Sequence, residues 1–355
     1  MLKYLYSLAT DKYNGFLPSI LKALLYILSL VYSAVVRFLS FYQRINSCRL
    51  PCKVISVGNI TLGGTGKTVL VEYIVRLLSA RGNKVAVLSR GYRRKAANYA
   101  PRSTDYETMG DEPYMLKKKF PAVPVIVDPD RVRGALKAIK ERGVDTVILD
   151  DGFQQWRIKK DLDIVAIDTA NPFGNGCVIP RGILREPLSA LRRADVFVLT
   201  KAGAGGDTGP VKDAVCRLSP GGLIAESSHA WTGFYNISNP RERLGLEALQ
   251  GKTAALFCGI GDPESFKKLI SGLGVRVGSF SIFPDHYRYS QSDLEKIIQD
   301  AQVSGAGVLI TTEKDAARLE GLNACGERIL VASIELKIGQ NEKGFIDRLL
   351  GLYHS

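Results

Sequence analysis

The sequence has little of the chemistry on which zinc-dependent or disulfide-dependent folds rely. Its 355 residues include three histidines and six cysteines, and the cysteines are scattered without a CxxC pair. A structural zinc site and a disulfide framework are both disfavoured, and the scattered thiols indicate a reducing compartment. No low-complexity tract and no internal repeat stand out, which argues against a solenoid. The length predicts roughly two domains.

Acidic residues are nearly missing from the first 53 positions. This segment holds seven basic residues and one acid, Asp11, so it contributes +6 to a net charge of +13. Residues 23–36, ALLYILSLVYSAVV, are uncharged and mostly apolar. They are shorter than the roughly 20 residues that cross a bilayer, and no small-residue cleavage site of a signal peptide follows. We expect residues 1–45 to form an amphipathic helix at a membrane surface; the alternative is a helix buried against the first domain.

From Lys53 onward, short apolar runs alternate with stretches of helical periodicity. This alternation predicts βαβ units and a parallel sheet. Six strands are predicted at residues 53–58, 84–90, 123–128, 145–151, 162–168 and 195–201. A second α/β series begins near Thr253, and residues 229–239 interrupt the rhythm before it. We therefore expect a first domain over residues 46–230 and a smaller α/β domain over 231–355.

A glycine-rich loop follows the first predicted strand and carries the strongest motif of the chain. NITLGGTGKT (59–68) precedes an apolar helical stretch, in the order found in phosphate-binding loops. Backbone N–H groups of such a loop hold phosphate oxygens, Lys67 reaches the β- and γ-phosphates, and Thr68 ligates Mg²⁺. Thr61 replaces the usual first glycine, so the loop is a variant. The expected nucleotide-binding residues are Thr61, Leu62, Gly63, Gly64, Thr65, Gly66, Lys67 and Thr68.

Two adjacent carboxylates end the strand DTVILDD. Asp150 and Asp151 fall at the carboxyl edge of the predicted sheet, where phosphate-binding-loop proteins hold their magnesium-ligating acid. Neighbouring side chains of a strand point to opposite faces, so we expect one carboxylate on the metal and the other toward its waters or a nearby loop. The alternative is an aspartate that caps the next helix.

Other polar motifs are ambiguous when each is taken alone. In GDEP (110–113), Asp111 is either a helix cap or a general base. His286 follows Asp285 in the second domain, where a lone histidine is more often structural than catalytic. Basic residues near strand ends are either phosphate clamps or solvated charge; they include Arg90, Arg93, Arg131 and Arg185.

Together these motifs resemble the tetraacyldisaccharide 4′-kinases, the lipid A kinases of Gram-negative bacteria. The resemblance spans nearly the whole chain and rests on SVGNITLGGTGKT, SRGYRR, GDEP, ILDDGFQQ, VIPRGILREP, FCGIGDPESF, FPDHYRYS and LITTEKDAARL. It implies an α/β fold: a P-loop NTPase-like parallel sheet domain, a second, smaller α/β domain that closes over the active site, and an N-terminal membrane-associated helix. The implied reaction transfers the ATP γ-phosphoryl group, with Mg²⁺, to the 4′-hydroxyl of tetraacyldisaccharide 1-phosphate. The product is lipid IVA, made at the cytoplasmic face of the inner membrane.

The resemblance also implies residue roles. Asp111 and His286 match a base dyad of the family, with His286 arriving from the second domain on closure, and Lys67 acts on the γ-phosphoryl group. Thr68, Asp150 and Asp151 match the magnesium site. The acidic glycolipid is expected to meet Arg90, Arg93, Arg131, Arg185 and Glu186. Gln155 stands where many relatives have histidine, so we assign it no catalytic role.

Two other functions stay open from the sequence. A membrane-associated regulatory P-loop ATPase would share GGTGKT, but such proteins usually have a lysine where this chain has Leu62. The positive net charge also suits a nucleic-acid-binding protein, yet nearly half of it lies in the apolar first segment. We therefore expect a glycolipid and a membrane surface as partners, without nucleic acid or an obligate protein partner.

Overall fold

Helices and strands alternate along most of the chain, as the apolar runs predict. The computed structural model describes residues 7–8, 10–11, 13, 15–90, 109–202, 207–323, 326 and 328–353. The helices are α1 (Phe16–Ile45), α2 (Lys67–Ser79), α3 (Asp111–Lys119), α4 (Arg131–Arg142), α5 (Gly209–Leu218), α6 (Pro263–Gly272), α7 (Gln291–Val303), α8 (Glu313–Arg318) and α9 (Glu342–Leu350). The strands are β1 (Lys53–Gly58), β2 (Val85–Ser89), β3 (Val125–Val127), β4 (Thr146–Asp150), β5 (Leu162–Asp168), β6 (Val196–Thr200), β7 (Leu223–Asn236), β8 (Asn239–Leu244), β9 (Thr253–Cys258), β10 (Arg276–Ile282), β11 (Val308–Thr312) and β12 (Ile329–Ile338). The six strands predicted first coincide with β1–β6.

The chain forms two units, and each is discontinuous in sequence. Unit 1 comprises Met1–Arg90, Ala122–Ser228 and Leu336–Ser355, and unit 2 comprises Gly91–Pro121 and His229–Glu335. Two of the boundaries between the units fall within strands, one in β7 and one in β12. The predicted domains 1–45, 46–230 and 231–355 stay a prediction.

Unit 1 contains a parallel sheet with strand order β3-β2-β4-β1-β5-β6-β7. All residues of β2, β4 and β6 are buried, as expected for strands covered on both faces. β1 lies directly beside β4, with Val57 opposite Asp150. The loop after β1 and the turn after β4 therefore start side by side at one edge of the sheet.

Unit 2 contains a sheet with strand order β10-β9-β11-β12-β7, and β8 pairs antiparallel with β7. β9, β10, β11 and β12 pair in parallel, so the carboxyl ends of β9 and β11 are neighbours. As predicted, residues 229–239 interrupt the alternation of strands and helices, because β7 is followed directly by the antiparallel β8. Residues 229–236 continue β7 as an extended strand, because β8 and β12 supply pairing that local periodicity cannot reveal.

Helix α1 lies within the predicted helical segment 1–45 and is twice as long as the uncharged run 23–36. Its 30 residues correspond to about 45 Å. Ser29, Val36 and Ser40 are its buried residues, so α1 is not the buried helix of the alternative. Among the residues that the structure describes, α1 is long and apolar enough to cross a membrane. The short length of the uncharged run is therefore no longer an argument against a membrane-spanning helix.

Close packing at the end of β1 requires glycine. A Cβ atom on Gly58 would lie 2.5 Å from both the Cβ and the backbone nitrogen of Phe153. Phe153 is fully buried and directly follows the Asp151-Gly152 turn. The missing side chain at position 58 thus lets the turn after β4 approach the start of the glycine-rich loop.

Gly58→Ala should lower the free energy of unfolding by about 1–3 kcal/mol, because backbone and a buried ring must shift to admit the methyl group. Thermal unfolding followed by circular dichroism would measure the change. Gly221→Ala is the matched control, since a Cβ there meets no atom within 4 Å. Equal melting temperatures for the two variants would contradict this packing argument.

Candidate active site

The glycine-rich loop of unit 1 has the geometry of an anion-binding loop. Gly66 caps α2 in the left-handed conformation, with φ 77°, and Gly63 has φ 113°. Cβ atoms built on Gly63 and Gly64 meet nothing within 4 Å, so the loop borders open space. The buried hydroxyl of Thr65 has no hydrogen-bond partner among the described residues. A phosphate at this helix N-terminus would meet free N–H groups and the positive end of the helix dipole.

The two carboxylates after β4 have different surroundings. Asp150 ends the strand and is 2% exposed, with the Ser89 hydroxyl 3.4 Å from its Oδ2. Asp151 already lies outside the strand, at φ 50°, so the alternation expected for two strand residues does not apply. No described helix begins between β4 and β5, and the helix-cap alternative is therefore not observed.

Asp151 lies between two cations. Its Oδ2 accepts a 2.7 Å hydrogen bond from Arg185 Nη1, and its Oδ1 is 3.5 Å from Lys67 Nζ. Burial alone would raise the pKa of Asp151, but the charges of Lys67 and Arg185 lower it below its ordinary value. Asp151 is thus a stable carboxylate that holds Lys67 at the glycine-rich loop.

Arg131 stabilises the turn that carries these acids. Asp130 caps α4 by accepting from Val132 N and Arg133 N, which fixes Arg131 in the first helical turn. The Arg131 guanidinium is buried and donates to the carbonyl oxygens of Asp150 at 2.7 Å and Asp151 at 3.1 Å. The Arg131 guanidinium therefore binds backbone carbonyl oxygens of the protein. Its predicted contact with substrate stays a prediction.

The segment before Glu186 pairs with the start of the glycine-rich loop. Leu62 N donates to Ile183 O, and Arg185 N donates to Ile60 O, both at 2.7 Å. This pairing brings the Arg185 side chain to Asp151.

Glu186 itself is 2% exposed and accepts from Gln154 at 3.1 Å and Arg193 at 2.9 Å. The Gln154 side chain also donates to Asn59 O. Sequence reasoning missed this role of Gln154, although the residue stands in the DDGFQQ motif.

The other predicted glycolipid-binding arginines lie around SRGYRR. Arg90 follows β2 and is exposed. Arg93 lies outside the described residues. Their contact with substrate stays a prediction.

A hydrogen-bonded Asp–His pair lies in unit 2. Asp111 begins α3, whose N-cap is Gly110, so Asp111 is not the cap of its helix. His286 Nδ1 is 2.8 Å from Asp111 Oδ2, and His286 adopts φ 62°, an uncommon conformation for a non-glycine residue. Because both residues belong to unit 2, the expectation that His286 arrives from a different domain than Asp111 needs correction.

Arg318 joins this pair, and sequence reasoning missed it. Its Nε and Nη2 donate to Asp111 Oδ2 at 2.9 and 2.6 Å. The LITTEKDAARL motif contains Arg318, but the sequence alone does not place it beside a residue 207 positions away.

Magnesium fits the acidic edge of unit 1 by ligand chemistry. Thr68 and Asp150 are buried oxygen donors at adjacent ends of α2 and β4. No group of three or more His, Cys, Asp or Glu side chains among the described residues forms an all-protein metal site. Mg²⁺ usually retains waters and phosphate oxygens, so it does not need such a group.

Asp151→Asn should lower the free energy of unfolding at pH 7 by up to about 1 kcal/mol, because Lys67 and Arg185 lose their counter-charge in a partly exposed, screened site. Asparagine tolerates the left-handed conformation, so charge is the main change. The lowered pKa of Asp151 means that its stabilisation is full above the unfolded value of about 4 and disappears as the pH falls through the folded value.

Urea unfolding at neutral and acidic pH would measure this difference, with the exposed Asp213→Asn as control. A gap between parent and Asp151→Asn that stays constant as Asp151 becomes protonated would contradict the assignment.

Comparison with known proteins identifies the family of this chain. A family model described as LpxK, tetraacyldisaccharide-1-P 4′-kinase, matches residues 21–353. The tetraacyldisaccharide 4′-kinase of Syntrophus aciditrophicus is 38% identical over 336 residues, covering 89% of each chain. The enzyme of the same name from Desulfatibacillum aliphaticivorans is also 38% identical, covering 90% of each chain.

A solved structure of a related protein has a similar fold. The crystal structure of the "apo" form of LpxK from Aquifex aeolicus in complex with ATP has a TM-score of 0.75 and 30% sequence identity, and the match covers 94% of this chain and 99% of that one. Both the sequence and the fold therefore match over nearly the full length. The chain belongs to the tetraacyldisaccharide 4′-kinase family.

Proposed function

We propose that this chain transfers the γ-phosphoryl group of ATP to the 4′-hydroxyl of tetraacyldisaccharide 1-phosphate. A bond forms between the 4′-oxygen and the γ-phosphorus, the bond from that phosphorus to the β,γ-bridging oxygen breaks, and ADP and lipid IVA leave. The observation that carries the proposal is that one chain holds both a glycine-rich loop with a paired Lys67 and a separate Asp111–His286 pair. Phosphoryl transfer to an alcohol needs charge stabilisation and a proton acceptor.

Residues Thr61–Thr68 hold the triphosphate in this proposal. The open space at Gly63 and Gly64 admits phosphate oxygens, and the N–H groups at the N-terminus of α2, which follows Gly66, are donors for them. Lys67 neutralises charge on the γ-phosphoryl group during transfer. Asp151 and Arg185 keep the Lys67 ammonium group at the loop.

Thr68 and Asp150 would hold a magnesium ion in this proposal, and Asp151 would accept hydrogen bonds from water bound to it. Magnesium supplies charge neutralisation of the phosphate oxygens when bound. Arg131 supports this role through its hydrogen bonds to the backbone carbonyl oxygens of Asp150 and Asp151, which hold the turn that carries both carboxylates.

The Asp111–His286 pair takes the proton of the 4′-hydroxyl in the proposed reaction. A carboxylate that accepts from His Nδ1 leaves Nε2 as the basic nitrogen, and such a pair supplies general-base catalysis. Arg90 and Arg93 are assigned to the anionic glycolipid, while the buried Arg131 and Glu186 and the paired Arg185 support the site.

Helix α1 is assigned to the cytoplasmic face of the inner membrane, where the acylated substrate resides. Fifteen large apolar side chains of α1 are exposed, among them Phe16, Phe38, Phe41 and Ile45. α1 also contacts the segment before Arg185: the Ser29 hydroxyl donates to Val178 O at 2.8 Å, and the Tyr32 hydroxyl donates to Arg185 O at 3.0 Å. A membrane-bound α1 would thus hold the Arg185 segment close to the lipid surface.

Transfer of ³²P from γ-labelled ATP to tetraacyldisaccharide 1-phosphate in detergent micelles tests the proposed function. Labelling of the lipid is expected for the parent, with a fall in kcat of about 10²-fold or more for Lys67→Ala and for Asp111→Ala. The KM for lipid should change far less, because these groups act mainly on the transition state.

Lys343→Ala, which removes an exposed lysine from unit 1, is the control and should retain the parent rate. Hydrolysis of ATP without lipid labelling would instead favour the regulatory ATPase.

The membrane assignment predicts that Phe38→Glu combined with Phe41→Glu weakens vesicle binding about tenfold or more, because two 66%-exposed rings no longer enter the lipid. Sedimentation with phosphatidylethanolamine and phosphatidylglycerol vesicles would measure binding. The control, Val303→Glu, changes a side chain that is 91% exposed on unit 2. Undiminished binding by the double variant would overturn the assignment of α1.

A further inference from the structure

The LITTEKDAARL motif contains none of the residues to which the proposed reaction assigns a role. It covers the end of β11 and the whole of α8. The side chains of Asp315 and Arg318, one turn apart on α8, are fully buried. A buried ion pair is expensive to desolvate, and satisfying it requires hydrogen bonds on both partners. The partners of this pair therefore indicate what the motif does.

The Arg318 guanidinium contacts both members of the Asp–His pair. In addition to its two bonds to Asp111 Oδ2, its Nη2 is 3.5 Å from His286 Nδ1. Its Nη1 donates to Gly259 O at 2.7 Å and to Asp315 Oδ1 at 3.0 Å. The same Gly259 oxygen accepts from His286 N at 3.2 Å. One guanidinium thus fixes the Asp111 carboxylate and the loop that carries His286.

Asp315 fixes Arg318 in turn. Its Oδ1 accepts from Gly259 N and from the Tyr289 hydroxyl, each at 3.0 Å, and its Oδ2 accepts from the Thr312 hydroxyl at 2.6 Å. Burial and the nearby Asp315 carboxylate raise the pKa of Tyr289, which keeps its hydroxyl a donor. The guanidinium therefore has little freedom to leave Asp111.

Two further ion pairs join α8 to α3. Lys314 Nζ is 2.9 Å from Glu112 Oε1, and Lys119 Nζ is 3.2 Å from Glu313 Oε2. With the bond from Arg318 to Asp111, these pairs connect both ends of α3 to one short helix. The motif fixes the position of the GDEP segment relative to His286.

We propose that Arg318 is the positioning residue of the Asp111–His286 pair and sets the tautomer of His286. This inference rests on the proposed function. Two cationic N–H groups on Oδ2 favour the ionised form of Asp111. An ionised carboxylate only accepts, so the nitrogen 2.8 Å away, Nδ1, must carry the hydrogen. The lone pair of neutral His286 then lies on Nε2, which accepts the substrate proton.

Other charged groups near the pair are compatible with this tautomer. They are Glu112 from α3, Asp285 beside His286, and Lys314 and Asp315 from α8. Asp285 Oδ2 is 3.8 Å from His286 Nε2, which is beyond hydrogen-bond distance. Glu112 is paired with Lys314, and Asp315 with Arg318. Arg318 is therefore the cation in direct contact with Asp111 and His286 within the described part of the chain.

The inference predicts that Arg318→Met lowers kcat about 10²-fold with little change in the KM for ATP. It also predicts that the acidic limb of the kcat–pH profile moves to higher pH, because loss of a contacting cation makes protonation of the pair easier. Arg318→Lys keeps the positive charge. Its acidic limb should therefore lie close to that of the parent, while its kcat should recover only in part. Arg328→Met is the matched control: Arg328 is half-exposed in unit 2, 3.7 Å from Glu242.

A measurement on the parent enzyme keeps the test independent of variant folding. The sequence has three histidines, so the ¹⁵N signals of their rings can be assigned with His286→Gln. The expected neutral form of His286 carries hydrogen on Nδ1. A signal with hydrogen on Nε2 would overturn the inference.

Kinetic outcomes separate this inference from the proposed function. A lowered melting temperature with an unmoved pH limb in Arg318→Met would show a purely structural role and overturn the inference. The proposed function would survive that result if the parent still labels the lipid. Loss of lipid labelling in the parent, with ATP hydrolysis retained, would instead overturn the proposed function itself.

Discussion

A charge buried away from water needs an opposite charge or several hydrogen bonds, and both parts of the candidate site are arranged around this requirement. In unit 1, Lys67 and Arg185 compensate Asp151, and Arg131 donates to the carbonyl oxygens of the same turn. In unit 2, Asp111 and Asp315 compensate Arg318. The side chains to which we assign the reaction are therefore held by charged groups: Lys67 by the partly exposed Asp151, and the Asp111–His286 pair by the buried Arg318. Loss of one partner leaves another charge uncompensated, so positioning and stability are coupled in both units.

Local patterns were sufficient to predict the parts of the fold that depend on local sequence. β1–β6 were predicted because fully buried parallel strands appear as short apolar runs, and the glycine-rich loop because its conformation demands glycine at fixed positions. The uncharged run of residues 23–36 is too short to cross a bilayer, but α1 continues through Lys22 and Arg37 and is long enough to do so. The strand character of residues 229–236 depends on pairing with β8 and β12, which local periodicity does not contain.

Contacts distant in sequence explain what was missed at the site. Arg318 meets Asp111 across 207 positions, and both the buried pair with Asp315 and the pairs from α8 to α3 are visible only after folding. Asp151 was expected on a strand with Asp150, but the chain turns one residue earlier and directs Asp151 to Lys67 and Arg185. The resemblance to a family identified Asp111 and His286, whereas neither residue's spacing alone distinguished a base from a cap or a structural histidine.

The contacts that organise Lys67 lie inside unit 1, and those that organise Asp111 and His286 lie inside unit 2. Each group is therefore assembled by the folding of its own unit and does not require substrate to build it. Preassembly lowers the cost of catalysis, because the donors and acceptors are already oriented when charge develops. In the proposed reaction, binding energy from the acyl chains would then be available for orienting the 4′-hydroxyl. The hydroxyls of Ser29 and Tyr32, which connect α1 to the segment carrying Arg185, provide the path by which a membrane-bound helix would contribute to that orientation.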